Sequence, residues 1–122
     1  MTMKKIFTLS FLALSLVIFL SGCYKQQFGT NENYWLAKER GVVVYSSPSC
    51  SYYVVETSNG YSVLRAWGSY KPYENAVVYG NFSNAGTRDM YNYTTGYVFS
   101  AEVKDYWLSY ANADYELSYY CH

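Results

Sequence analysis

Residues 52–67 read YYVVETSNGYSVLRAW. This stretch sets Asn59-Gly60 between two runs that are rich in β-branched and aromatic residues. Such a pattern is the strongest short-range signal for a β-hairpin, because both turn residues tolerate a positive φ. We therefore predict strands over 52–57 and 61–67.

The sequence on both sides of the hairpin predicts four more strands. They cover residues 42–45, 76–82, 88–93 and 97–106. Gly80 inside the second of these predicts a bulge or a close approach of another part of the chain. The last strand alternates between apolar and polar residues, which predicts one buried face and one solvent-exposed face. The buried face would carry Tyr97, Phe99, Ala101 and Val103, and the exposed face Ser100, Glu102 and Lys104. Residues 34–40 fit either a helix that ends before Gly41 or a strand.

The last segment changes from a period of two to a helical period. Ser109 can cap a helix over 110–120, whose inner face would carry Tyr110, Ala113, Leu117 and Cys121. Six short strands and this helix predict a mainly β fold, a small antiparallel sheet or open barrel of about six strands with a C-terminal α-helix. The helix would plug an open end or cover one face. The layout resembles small OB- or SH3-like barrels, although no motif supports that comparison.

The N-terminal residues carry a targeting pattern. Lys4-Lys5 precede an apolar run from Ile6 to Leu20, and Leu20-Ser21-Gly22-Cys23 follows. This arrangement resembles the signal peptide and lipobox of bacterial lipoproteins. The resemblance implies that residues 1–22 are removed and that Cys23 becomes lipidated. The alternatives are an ordinary secretory signal or one N-terminal membrane helix, for which the run falls short of the ~20 residues required.

The lipoprotein resemblance also implies a location and a domain organisation. Acyl chains on Cys23 would hold the exported protein at the cell envelope, and Tyr24, which is not an aspartate, favours the outer membrane in a Gram-negative host. Polar residues 23–33 predict a lipidated flexible tether, and 34–122 a single small β-rich domain. After residue 22 there are seven basic and nine acidic side chains, a net charge of −2. This charge argues against nucleic acid as a partner.

With Cys23 assigned to lipid, Cys50 and Cys121 remain as a pair. An oxidising compartment favours a disulfide between them, and two buried free thiols are the alternative. The bridge would close a loop of about 72 residues and stabilise the fold by up to roughly 4 kcal/mol. His122 is the one histidine and stands at the end of the given sequence. We therefore expect no metal site and no cofactor.

Catalytic patterns are weak in this sequence. The one histidine, His122, stands at the end of the sequence, so no histidine is expected to act as the general base for a serine or cysteine nucleophile. The sequence also has no glycine-rich phosphate-binding loop. Paired carboxylates are the remaining enzymatic option, but surface charge is the simpler interpretation. The carboxylates in question are Glu56, Glu74, Asp89, Glu102 and Asp105. An enzyme is therefore not expected.

Tyrosine is the strongest functional signal, since 17 tyrosines occur in the chain. Their rings offer large, rigid contact area at low entropic cost, although strand packing alone is the simpler explanation. Five candidate ligand-binding residues follow: Trp67, Tyr70 and Tyr73 first, then Tyr91 and Tyr93. We expect a non-catalytic binding module for an envelope protein or a glycan. One alternative is a structural or accessory envelope lipoprotein. Another is a periplasmic inhibitor of a lysozyme-like enzyme, although residues 83–88 match the Ser-Gly-rich inhibitory loop of such proteins only weakly.

Overall fold

The computed structural model describes residues 32–121. The predicted signal peptide, the lipidation site Cys23 and most of the predicted tether lie outside these residues. Two helices and six strands follow one another along the chain. They are α1 (Glu32–Leu36), β1 (Glu39–Ser46), β2 (Tyr52–Thr57), β3 (Gly60–Ala66), β4 (Val77–Gly80), β5 (Gly86–Asn92), β6 (Tyr97–Leu108) and α2 (Tyr110–Tyr120).

The six strands form a closed antiparallel barrel in the order β1-β2-β3-β6-β5-β4. Closure depends on β1, which pairs with β2 on one side and with β4 on the other. The predicted fold class is thus confirmed, and the barrel is closed. Within residues 32–121 every strand has two neighbours, so the barrel leaves no strand edge unpaired.

The central hairpin pairs β2 with β3 in continuous register from Tyr52↔Arg65 to Thr57↔Gly60. Ser58 and Asn59 form the turn, and of Asn59 and Gly60 only the glycine has a positive φ, of 124°. A Cβ on Gly60 would lie 2.8 Å from the carbonyl oxygen of Leu108. Glycine is therefore required here both for its backbone angle and for the approach of the end of β6.

The barrel interior is filled by side chains that alternate along each strand. Its buried members are Val43, Tyr53, Val55, Leu64, Ala76, Val78, Phe82, Met90, Phe99, Ala101 and Val103. Gly80 leaves room for the sulfur of Met90, which confirms the predicted close approach. The predicted inward face of β6 is correct for three residues, but Tyr97 is exposed. Tyr97 is the first residue of β6, at the rim of the barrel.

The helix α2 covers one outer face of the barrel, as one of the two predicted arrangements proposed. The Ser109 hydroxyl accepts a hydrogen bond from the Asn112 amide at 3.2 Å, which confirms the predicted cap. Ala113 and Leu117 pack against Val54 and Val63, the outward residues of the central hairpin. Both faces of this hairpin are therefore buried, which explains its nearly continuous apolar sequence.

Tyr110 does not belong to the buried face of α2, contrary to prediction. It starts the helix and remains exposed, with its ring against the edge of the Tyr61 ring at 5.7 Å. At the other end of the helix, Cys121 forms the predicted disulfide with Cys50, and the two Cα atoms are 5.6 Å apart. The bridge ties the end of α2 to the turn between β1 and β2.

The ambiguous segment 34–40 contains both a helix and the start of a strand. Residues 32–33, assigned to the tether from sequence, also lie in α1, where Trp35 stacks on Tyr91 of β5 with ring centroids 6.0 Å apart. The helix thus covers a second outer face of the barrel. Among the described residues, no helix has the length and apolar character that crossing a membrane requires.

Candidate functional site: the aromatic end of the barrel

Three loops meet at one end of the barrel because its strands alternate in direction. They connect β1 to β2, β3 to β4 and β5 to β6, and cover residues 47–51, 67–76 and 93–96. We call this part of the molecule the aromatic end, and define it by Trp67, Tyr70, Tyr73, Tyr93 and Tyr97. Four of these residues were candidates from the sequence, and the topology brings them to the same end.

The three loops have an unusual composition. Thirteen of their 19 residues are Tyr, Trp, Ser, Thr, Gly or Asn. The same residue types dominate antibody paratopes, where rigid aromatic rings supply contact area and small polar groups supply adaptable hydrogen bonds. Lys71 and Glu74 are the two charged residues of these loops, and both are engaged within the fold. The Lys71 ammonium donates to the carbonyls of Ser47 and Cys50, and Glu74 accepts from the Ser46 amide.

Three rings of the aromatic end stand on its loops and are largely exposed to solvent. Trp67, Tyr73 and Tyr93 expose 53%, 82% and 49% of their surface. The guanidinium of Arg65 lies over the Trp67 ring in a cation–π contact, with its central carbon 5.7 Å from the ring centroid. Tyr93 meets the Tyr79 ring edge to face at 6.0 Å. These three residues are therefore placed to contact a partner.

Tyr70 supports the surface from below. Its ring stacks on Tyr97 at 5.5 Å and contacts buried Phe99 at 5.4 Å, and its hydroxyl accepts a hydrogen bond from Asn92 at 2.9 Å. Tyr97 itself is 61% exposed. Sequence reasoning missed Tyr97 as a surface residue because strict alternation along β6 assigned it to the interior. The pair Tyr70–Tyr97 thus links the exposed rings to the core.

Tyr91 takes no part in this surface. It is buried beneath Trp35, and its hydroxyl donates to the Glu32 carboxylate at 3.2 Å. Burial, followed by this hydrogen bond, raises the pKa of Tyr91. Because side chains alternate along β5, Tyr91 points away from the barrel interior, but α1 covers the face on which it lies. Sequence alone could not show this, because the contact joins residues far apart in the chain.

The hydroxyl of Tyr53 is a polar group buried inside the barrel. The side chain of Tyr53 is fully buried, and within residues 32–121 its hydroxyl has no hydrogen-bond partner. Burial, followed by the influence of Tyr70, raises the pKa of Tyr53. Tyr53 faces the barrel interior near the aromatic end. It belongs to the core cluster against which Tyr70 packs.

The carboxylates considered from sequence lie mainly in surface pairs. Glu102 pairs with Arg65 at 2.9 Å, and Asp89 accepts a hydrogen bond from Ser100 at 2.8 Å. Asp105 instead meets Glu116, and burial, a hydrogen bond and repulsion from Asp105 together raise the pKa of Glu116 to about 7. Sequence reasoning missed this pair, because it joins β6 to α2. Among the described residues, no three metal-binding side chains lie close enough to hold a metal ion.

Charged side chains gather at the opposite end of the barrel. A groove of about 530 Å³ there contains Lys38, Glu39, Arg40 and Glu56. The Glu39 carboxylate also accepts from the Ser83 hydroxyl at 2.9 Å and the Asn59 amide at 2.8 Å. The two ends of the barrel therefore differ in chemistry, one being aromatic and almost uncharged and the other rich in charge.

A smaller apolar groove lies between β1 and α2. It encloses about 130 Å³, with Val44, Tyr45 and Tyr110 at its exposed side and Leu117 at its base. Its position beside the helix separates it from the aromatic end. The alternative of a structural or accessory lipoprotein predicts an apolar sheet face left uncovered, and this groove is such a surface.

Comparisons with protein family models, with curated proteins and with solved structures found no match to this chain.

Proposed function

We propose that this chain is a lipid-anchored module of the bacterial cell envelope that binds a protein or a glycan through the aromatic end of its barrel. The observation that carries the proposal is the group of exposed rings on nearly uncharged loops. Aromatic residues that present a flat apolar face and a polar tip dominate binding hot spots. No catalytic step is part of this function.

The rigidity of the aromatic end supports a binding role. The disulfide and the Lys71 ammonium hold the loop 47–51, and the Asn92 amide holds Tyr70. A surface that is ordered before binding loses less conformational entropy when its partner arrives. The small number of charges also favours a partner recognised mainly by stacking and hydrogen bonds over a nucleic acid.

The first test measures binding to purified bacterial envelope by co-sedimentation of the full chain. We expect Tyr73→Ala combined with Tyr93→Ala to weaken binding at least about tenfold, because hot-spot rings each contribute on the order of 2 kcal/mol. Tyr115→Ala is the matched control, since Tyr115 is 74% exposed on α2, away from the three loops.

Protease treatment of the envelope separates the two partner classes. Loss of binding after digestion assigns the partner to protein, and retention assigns it to glycan. Equal binding by the double variant, the Tyr115→Ala control and the unaltered chain would contradict the proposal.

The anchor has an independent test. Expression in a bacterial host with an alkyne-tagged fatty acid should label the unaltered chain, because lipidation places acyl chains on Cys23. Cys23→Ser should remove the label and release the protein from the membrane fraction. A Cys23→Ser chain that remains labelled and membrane-bound would rule out this residue as the anchor.

A further inference from the structure

A polar cup adjoins the aromatic end, and we propose that it binds a saccharide that carries a carboxylate. The cup encloses about 340 Å³ between the turn 47–51 and the start of the loop after β3. Its walls carry Ser49, Ser51, Ser69 and Lys71, and the disulfide residue Cys50 also borders it. The inference rests on the proposed function and narrows its partner to a glycan with acidic sugars.

The serine hydroxyls of the cup are available to a ligand. Within residues 32–121, those of Ser51 and Ser69 take part in no hydrogen bond, and Ser49 shares its hydroxyl with Ser47 at 2.9 Å. A hydroxyl both donates and accepts, so it matches the hydroxyls of a sugar ring in either role. Ser51 is also fixed in place, because its carbonyl accepts from the Ala66 amide at 2.9 Å.

Lys71 supplies the charge in the cup. Its ammonium has three donors, and two of them reach the carbonyls of Ser47 and Cys50, which hold it in one position. No carboxylate of the described chain forms an ion pair with it. Burial lowers the pKa of Lys71, because partial desolvation disfavours the cation. A carboxylate on the ligand would occupy the third donor and compensate the charge.

Trp67 stands between two residues that line the cup. These are Ala66 and Gly68, and the indole itself is half exposed. Apart from its two chain neighbours, a Cβ built on Gly68 would meet no atom within 4 Å, so this edge of the cup is open. A saccharide that extends beyond the cup at this edge would come near the indole, whose apolar face can pack against a sugar ring.

The size and charge of the cup favour this ligand class over others. A volume of about 340 Å³ is at the lower end of the ~300–1,000 Å³ typical of small-molecule sites, which suits a short saccharide segment. A neutral sugar would leave Lys71 uncompensated. A phosphate group usually draws on arginine forks or several cations, and this cup holds a single ammonium.

The test compares sugar acids with their methyl esters, which keep the sugar ring and its hydroxyls but replace the charged carboxylate by a neutral ester. Isothermal titration of the detergent-solubilised full chain would use trigalacturonic acid, glucuronic acid and N-acetylneuraminic acid. We expect at least one acid to bind, and its methyl ester to bind about tenfold more weakly because a charge-assisted hydrogen bond is lost. Lys71→Gln should erase the difference between acid and ester.

Because Lys71 also ties the turn, a second variant keeps the test independent of folding. Ser51→Ala with Ser69→Ala removes two unpartnered hydroxyls, and should weaken binding of the acid at least about fivefold without changing the melting temperature. Ser58→Ala, in the turn at the opposite end, is the control and should bind normally.

Two results would overturn the inference: no binding of any of the three acids, or binding that is equal for acid and ester and unaffected by the double serine variant. If the inference fails while the Tyr73–Tyr93 variant still loses envelope binding, the aromatic surface remains the binding site and its partner is not an acidic sugar. If envelope binding also persists in that variant, the proposed function fails with it.

Discussion

Gly60 shows how one residue permits the end of β6 to approach the central hairpin. Its φ of 124° is costly for any side chain, and a Cβ there would lie 2.8 Å from the Leu108 carbonyl oxygen. Gly60→Ala is therefore expected to lower the free energy of unfolding by about 2–3 kcal/mol, as urea denaturation would measure.

Gly96 provides the matched control for Gly60. It also has a positive φ, of 73°, but a Cβ there would meet nothing within 4 Å. Gly96→Ala should therefore cost about 1 kcal/mol, from backbone conformation alone. Equal losses for the two variants would show that the approach of Leu108 has no part in the requirement for glycine.

Glu116 gives the fold a dependence on pH. Its pKa is raised from 4.5 to about 7 in the folded chain, so the folded state binds this proton more tightly than the unfolded state. The stabilisation is complete below about pH 4.5 and is lost as the pH rises to about 7. Glu116→Gln should remove this loss and stabilise the protein at pH 8 by roughly 1 kcal/mol, a figure reduced for solvent screening.

The Glu116 prediction is checked by thermal melts of both proteins from pH 4 to pH 8. The difference in melting temperature between variant and unaltered chain should grow as the pH rises. Asp114→Asn, an equal charge change on the exposed part of α2, is the control. A constant difference across this range would contradict the raised pKa.

At the scale of elements, local sequence signals predicted the helices and strands well, but they did not predict the contacts between distant segments. The central hairpin and α2 were predicted with nearly correct bounds, because Asn59-Gly60 and Ser109 act on their immediate neighbours. Barrel closure through β1 and β4 could not be predicted, since no local pattern encodes which distant strands pair. The same limit explains Tyr91, which was predicted at the surface but is covered by α1.

The candidate site was predictable for a related reason. Loops between antiparallel strands gather at the two ends of a barrel, so aromatic residues on alternate loops come together. The candidates Trp67, Tyr70, Tyr73 and Tyr93, chosen from the sequence, therefore lie at the same end of the barrel. Sequence reasoning missed Tyr97, because alternation along a strand says nothing about where the barrel rim lies.

The disulfide is the main constraint between elements. It joins the turn after β1 to the end of α2 across 71 positions of sequence. Cys50→Ser with Cys121→Ser should lower the free energy of unfolding by about 2–4 kcal/mol, since the long closed loop no longer restricts the unfolded chain. Urea denaturation would measure this loss.

Reduction of the unaltered chain provides the companion measurement for the disulfide. Excess thiol should bring its stability down to that of the double serine variant, because both then lack the bridge. Unchanged stability in both samples would mean that packing of Ala113 and Leu117 alone holds the helix.

At the scale of the whole molecule, the barrel has two chemically different ends. Charged residues such as Glu39 and Arg40 lie at one end, and the aromatic loops at the other. An anchor at Cys23 would let the proposed module act close to a membrane, where the nearly uncharged aromatic end would recognise its partner by stacking and hydrogen bonds. We propose that the aromatic end is the surface that makes this contact.

Site-specific photo-crosslinking in the living cell tests this claim most directly. A photoreactive phenylalanine analogue would replace Tyr73 in one protein and Tyr115 in another, since both side chains are strongly exposed. If the aromatic end makes the contact, position 73 should give a discrete adduct and position 115 none. Equal adducts from both positions, or an adduct from position 115 alone, would contradict the proposal.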